Sequence, residues 1–284
     1  MIKKPIIIVG SGRSGSTIFS ELLSNHPDFV YLTRFNTKFP RLMTISRFAL
    51  KFRNFPMFKN IFGISECYPF WDTVSKAFVD PSRNLTDNDV TPDTKKRIID
   101  KFNKLTHDGD SRLLIKITGW SRIGFLKDVF PDAKFIHIVR DGRAVANSLL
   151  NVEFWRGWEG PASWRLGNLK GKWKSIYEHS SKSVYTLAGL FWSILIEALE
   201  KDIADYNPDI LTISYEELCD DKTVVLSKVM EFCRCEWTEN FGKAIVGTEL
   251  RNMNYKAKES MTPEQYILVS NATIEFRTKY GYNE

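Results

Sequence analysis

The sequence predicts an α/β fold, a three-layer sandwich with a central, mostly parallel sheet and helices on both faces. Three observations predict it. Short apolar runs rich in β-branched residues alternate with helical patterns along the chain. Those runs are continuously apolar rather than alternating, as in strands covered on both faces. The 284 residues show no repeat, low-complexity tract or linker, so a single domain over residues 1–284 is expected.

The elements follow in order. "PIIIV" (5–9) is a first strand, ended by Gly10. In "STIFSELLSNH" Ile18, Leu22 and Leu23 fall on helical spacing, and His26 closes that helix. "FVYL" (29–32) is a second strand. "TPDTKKRIIDKFNKLTHD" (91–108) has a helix-start signal and an apolar stripe at Ile98, Phe102 and Leu105. "RLLIKIT" (112–118) and "AKFIHIVR" (133–140) are strands, followed by the helices "SRIGFLKDVFP" and "GRAVANSLL". "TLAGLFWSILIEALEK" (186–201) contains Glu197 and is too short to span a bilayer, so it is expected to be a core helix. "DILTISY" (209–215) is a last strand, "DKTVVLSKVMEFCRC" (221–235) a helix, and 262–281 a C-terminal helix. Segments 33–90 and 151–185 break the alternation and carry many aromatics. They are expected as loops and short helices over the edge of an active site.

Composition narrows the function classes. Apolar residues make up 43% and charged residues 26%, the balance of a globular protein. The four cysteines show neither a CxxC pair nor a spaced Cys/His set, which argues against structural zinc and a disulfide framework. Free thiols and an N-terminus without a secretory pattern point to the cytoplasm. Lys and Arg total 40 against 34 Asp and Glu, a net charge of +6. The excess is concentrated: seven basic residues and no acid lie between Arg34 and Ser65. Such a block faces an anion of some kind.

The chemistry begins at "VGSGRSGST" (9–17). Gly10 and Gly15 have the spacing of a phosphate-binding P-loop between strand and helix, but Ser16 stands where an ATPase carries lysine. Loop amides and the helix start favour an anion, and Ser14, Ser16 and Thr17 add hydroxyl donors. The missing lysine argues against ATP hydrolysis. Arg13 brings a planar fork of donors instead; the plainer alternative pairs it with a nearby acid. A second motif, "FIHIVRDGRAVANSLL" (135–150), ends a strand in Arg140 and places Ser148 on the following helix. Together the pair could grip a further phosphate; singly, each is a cap or a surface residue.

"GSGRSGST" followed by "IVRDGRAVANS" resembles the sulfotransferase family that uses 3′-phosphoadenosine-5′-phosphosulfate (PAPS). "ISYEEL" (213–218) adds to the likeness, which is nearer to bacterial and tyrosylprotein-type members than to small-molecule cytosolic ones. The resemblance implies that Gly12, Arg13, Ser14, Gly15, Ser16 and Thr17 hold the 5′-phosphosulfate, and Arg140 and Ser148 the 3′-phosphate. It implies PAPS as donor, 3′-phosphoadenosine 5′-phosphate (PAP) as product, and no metal. The implied reaction moves a sulfuryl group to a hydroxyl, or as second choice an amine, of a small metabolite, sugar or lipid.

The general base is less clear-cut. Small-molecule members use a histidine in a Lys-Thr-His strand end; in "LLIKITGW" Thr118 stands near that place and cannot serve. Lys116 either touches the transferred group, as the family lysine does, or faces outward from its strand. Tyrosylprotein-type members use a glutamate soon after the first helix, where "YLTRFNTKFP" has no acid. The next acid, Glu66, is nominated as base, with Asp72 in reserve. His137 alternates with apolar neighbours and is expected in the core; His107 and His179 carry no signal.

Three further features stay open. Trp155, Trp158 and Trp164 either stack on a ligand or form a satellite core. Arg251, Lys256 and Lys258 either contact the nucleotide or form a solvated face. In the basic block 34–62, Leu42, Ile45, Phe48, Phe52 and Phe55 form a helical stripe. Core packing is its default reading and peripheral membrane contact its second. Nucleic acid is not expected as a partner. The rival functions are a P-loop nucleotide kinase or NTPase, and a non-catalytic PAP- or nucleic-acid-binding module.

Overall fold

The computed structural model describes residues 2–52, 56–79, 82–106 and 111–283. Five strands, β1 (Ile6–Val9), β2 (Phe29–Tyr31), β3 (Arg112–Lys116), β4 (Lys134–Val139) and β5 (Asp209–Ser214), form one sheet. Their order is β2-β3-β1-β4-β5, and every pairing is parallel. Helices surround the sheet, giving the expected layered architecture. β3 is two residues shorter than the sequence pattern suggests, because the chain leaves the ladder after Lys116.

Burial explains why the central strands form where they do. All four residues of β1 and all six of β4 are buried, so both faces of each strand are covered. Each fully buried isoleucine or phenylalanine there contributes about 1.5–3 kcal/mol relative to exposure. β1 and β4 converge closely at their carboxyl ends. A Cβ on Gly10 would stand 2.5 Å from the Ile138 carbonyl oxygen, so only glycine allows that approach. The Gly119 amide donates to Gly10 O at 3.0 Å and ties in the segment that follows β3. From β1 the chain travels to β2, and from β4 it travels to β5 on the opposite side. The crevice between these carboxyl ends is where open parallel sheets take ligands.

The helices start on side-chain caps. Thr91 accepts from the Thr94 amide before Pro92–Asn103, and Thr262 with Gln265 forms a capping box before Pro263–Lys279. The longest helix, Val184–Tyr206, buries Leu187, Leu190, Leu195 and Leu199. Ser193 Oγ locks it to the C-terminal helix by donating to Ala272 O at 2.8 Å. Among the described residues no helix is long and apolar enough to cross a membrane.

His137 is the buried β4 residue that composition alone marks as unusual. It is 0% exposed and neither ring nitrogen has a hydrogen-bond partner. Burial holds its pKa down to about 4. His26 is also buried; its amide donates to Leu23 O at the end of helix Ser16–Leu23, as expected of a closing residue. Its Nδ1 accepts from the Asp28 amide, which leaves Nε2 to donate to Glu236 O at 2.8 Å.

The described residues between 34 and 62 form an excursion that includes the short helices Arg34–Lys38, Met43–Leu50 and Lys59–Phe62, closed at its base by an antiparallel bridge between Thr33 and Ile64. Here the core reading of the apolar stripe is overturned. Helix Met43–Leu50 buries Met43, Ser46 and Leu50, while Leu42, Ile45, Phe48 and Phe52 are 41–51% exposed. Phe55, the last residue of that stripe, and His107 lie outside the described residues.

Candidate active site

The glycine loop leaves β1 at the crevice and enters helix Ser16–Leu23 through Gly15. Gly15 has φ +84° and its Cα faces the Tyr215 ring, so a side chain there would collide as well as strain the backbone. Because the helix starts on glycine, no side chain caps its first amides. Those amides, at the positive end of the helix dipole, suit an anion. Within the loop Ser11 Oγ and Ser14 Oγ lie 2.6 Å apart and are buried, so they brace the turn from inside.

Arg13 holds a left-handed backbone, φ +68°, which costs a non-glycine residue about 1–2 kcal/mol. Its Nε donates to Ser148 Oγ at 2.9 Å, and the alternative of pairing with an acid does not occur among the described residues. Arg140, at the end of β4, is 9% exposed. Its Nη1 donates to Arg13 O at 3.1 Å and its Nε to Asn254 Oδ1 at 2.9 Å, with the guanidinium 4.2 Å from the Tyr215 ring centroid. Burial pulls its pKa down while Tyr215 and Glu216 oppose that, and a guanidinium stays charged throughout. The loop motif and the strand-four motif, 127 residues apart, are thus joined by direct hydrogen bonds.

Behind Arg140 a polar chain fixes its orientation. Glu216 accepts from Asn254 Nδ2 at 2.5 Å, from the Asp141 amide at 3.1 Å and from Tyr282 OH at 2.8 Å. Burial and then Glu216 itself raise the Tyr282 pKa, so that phenol donates at neutral pH. Helix Tyr215–Asp220, which carries Glu216, starts on a capping box of Ser214 and Glu217 in the "ISYEEL" segment.

On the other flank of the loop, Lys116 ends β3. It is 8% exposed and turned inward, not outward. Its Nζ donates to Thr17 Oγ1 at 2.9 Å and lies 3.4 Å from Glu66 Oε1. Glu66 Oε1 also accepts from Thr118 Oγ1 at 2.7 Å, and Tyr68 OH donates to Thr118 O at 3.0 Å. Thr118, which cannot act as a base, therefore orients the carboxylate that can. Glu66 reaches this point because Cys67 takes a left-handed turn, φ +52°, and Trp71 Nε1 bonds Glu66 O at 3.0 Å.

These groups open on a cavity of about 660 Å³. Gly12, Arg13, Ser16, Thr17, Lys116 and Glu66 form its polar floor. Leu149, Phe154, Leu166 and Phe191 form an apolar wall, with Arg122 and Arg165 among the remaining lining residues. Ser14, Gly15, Arg140 and Ser148 lie beside the cavity rather than in its lining. Asp72 is exposed and outside it, which leaves Glu66 as the carboxylate within reach. Trp155 and Trp164 are buried in the core beside helix Val184–Tyr206, and Trp158 is exposed; none lines the cavity. Arg251 pairs with Glu249 on the surface, and Lys256 and Lys258 belong to the short surface helix Lys256–Ser260.

Sequence reasoning missed Asn254, Tyr215, Phe154 and Arg165. Asn254 lies between basic residues already singled out, but nothing in "RNMNYK" distinguishes one asparagine from the other. Phe154 begins the tryptophan-rich run that drew attention, yet the wall uses the phenylalanine.

Similarity to known proteins fits this geometry. Among solved structures, the sulfotransferase STF9 of Mycobacterium avium aligns over 99% of this chain and 78% of its own, with TM-score 0.60 and 15% identity. The sulfotransferase domain of the curacin biosynthetic pathway aligns over 99% of both chains, with TM-score 0.54 and 14% identity. The sulfotransferase STF1 of Mycobacterium tuberculosis aligns over 96% of this chain and 77% of its own, with TM-score 0.53 and 13% identity. At such identities the likeness concerns the fold. No curated protein matches the chain. The sequence model of the sulfotransferase family, however, matches residues 5–239, from β1 through the glycine loop, Glu66, Lys116 and Arg140 to the start of helix Glu239–Val246. The chain belongs to the sulfotransferase family.

Proposed function

We propose that the protein transfers a sulfuryl group from PAPS to a hydroxyl of an organic acceptor and releases PAP. The residues present fit that donor. The uncapped start of helix Ser16–Leu23, Arg13 and Thr17 suit the phosphosulfate end, and Arg140 with Ser148 suits the 3′-phosphate. The nucleotide supplies an activated sulfuryl group on a phosphate oxygen. Everything else falls to the chain.

Glu66 accepts the acceptor's hydroxyl proton as that oxygen bonds to sulfur. The bond from sulfur to the bridging oxygen breaks, and its electron pair remains on the phosphate of PAP. Lys116 and Arg13 offset the charge that builds there. Fixed donors of this kind are worth about 2.7–4 kcal/mol each in the transition state. The observation that carries the reading is the position of Lys116 Nζ, 2.9 Å from Thr17 Oγ1 and 3.4 Å from Glu66 Oε1. A cation for the transferred group and a carboxylate for the proton then share one point at the cavity floor.

The apolar wall of Leu149, Phe154, Leu166 and Phe191 favours an acceptor with a lipid-like or aromatic body over a bare sugar. Four unpaired cysteines suit a reducing compartment such as the cytoplasm.

A thermal-shift titration tests the donor. PAP at about a hundred times its Kd should add about 2.7 kcal/mol to stability, while magnesium-ATP adds little. Stabilisation by magnesium-ATP alone would overturn PAPS as the donor. Transfer from labelled PAPS to a panel of hydroxylated amphiphiles then identifies the acceptor.

A further inference from the structure

Large apolar side chains left in water are normally scattered over a surface. In this protein they cluster. Phe39, Leu42, Ile45, Phe48, Phe52 and Met57, all within the excursion 34–62, are 41–80% exposed. The same segment carries Lys38, Arg41, Arg47 and Lys51, and no acid occurs between Arg34 and Ser65. The cations are close to the apolar groups: Arg47 Cζ and Lys51 Nζ lie 5.1 and 5.8 Å from the Phe48 ring centroid. Long basic side chains beside an apolar face can keep their charged ends at a polar boundary while the face sinks below it.

We infer that this face docks on the surface of an anionic lipid bilayer. Helix Met43–Leu50 turns Met43, Ser46 and Leu50 to the protein and presents Ile45 and Phe48 to the bilayer. Burial of those side chains at the headgroup boundary supplies one part of the attraction, and the positive charge of a segment with no acid of its own supplies the other. A nucleic acid would use the cations and could stack on phenylalanine, but it gains nothing from exposed Leu42, Ile45 and Met57. A symmetric second copy would cover the apolar groups but would set the basic cluster against itself. An anionic bilayer satisfies both chemistries at once. The inference stands on this surface and does not depend on the catalytic reading.

Flotation of the full chain with vesicles tests it. The chain should float with phosphatidylcholine–phosphatidylglycerol vesicles, remain unbound with phosphatidylcholine alone, and release in high salt. Ile45→Ser with Phe48→Ser, and separately Arg41→Glu with Lys51→Glu, should each weaken vesicle binding about tenfold or more. These side chains are on the surface, so an unchanged thermal midpoint verifies that each variant is folded. The inference fails if the chain does not float with anionic vesicles, or if the serine pair floats as well as the parent. It fails equally if the exposed face proves to hold a dimer that the serine pair dissociates, or to bind a single-stranded oligonucleotide in place of vesicles.

Discussion

The two flanks of the cleft are built differently. The flank proposed for the nucleotide is made where strands turn into helices: Gly10 to Thr17 after β1, Arg140 and Ser148 after β4, Glu216 after β5. Each piece is local, and the parallel sheet brings the pieces to one edge. The flank proposed for the acceptor draws Glu66, Thr118, Phe154 with Arg165, and Phe191 from four separate stretches of chain. A scaffold can hold the first kind of site constant while the second varies, since all its pieces but Phe191, which belongs to helix Val184–Tyr206, sit on connecting segments rather than on the sheet.

Substitutions on each flank can break or sharpen that contrast. The largest effect is expected at Glu66, where the flanks meet. Glu66→Gln should lower kcat about a thousandfold and leave PAP affinity unchanged, as single-turnover kinetics and calorimetry would report. Full activity in that variant would end its assignment as base.

The scaffold under the nucleotide flank has its own signature. An unfolded histidine takes up a proton near pH 6.5, whereas His137 resists until about 4. Between those values the unfolded chain binds more protons, so stability falls as pH falls, by about 3 kcal/mol in all. His137→Leu should flatten that part of the stability profile measured in urea; an unchanged slope would place the proton uptake elsewhere.

Arg140→Ala should weaken PAP binding about a hundredfold, and Asn254→Ala, which only orients Arg140, about tenfold. Neither should alter acceptor KM measured at saturating PAPS. Equal losses from both variants would mean that Asn254 touches the nucleotide itself. The smallest effect is expected from Phe154→Ala on the acceptor wall: a severalfold rise in acceptor KM, about 1 kcal/mol, with PAP affinity intact. If Phe154→Ala weakened PAP instead, the division into two flanks would not hold.

The same division governs what the sequence made legible. Strand, loop and helix are short-range patterns, so all five strands are legible in the sequence, and spacing and resemblance nominate Arg13, Arg140 and Ser148. The junction between those residues is not legible. Arg13 reaches Ser148, and Arg140 reaches Asn254, across more than a hundred residues that no local pattern connects. Glu66 was nominated only because it was the next acid in the chain; its contacts with Lys116 and Thr118 are tertiary. The stripe from Leu42 to Phe52 shows the limit most clearly. Periodicity reveals that one side of a helix is apolar, but only packing decides whether that side meets protein or water. Helix Met43–Leu50 met the protein with the other side.

The way the two arginines wait has a kinetic corollary. Arg13 rests on a serine hydroxyl, and Arg140 on an asparagine oxygen and a main-chain carbonyl. All three are neutral acceptors. Bound as proposed, a nucleotide would therefore exchange weak partners for strong ones, and among the described residues no carboxylate would have to be evicted from either guanidinium. Capture should accordingly be fast and ionic-strength dependent, and departure of the spent nucleotide slow enough to set the pace of turnover.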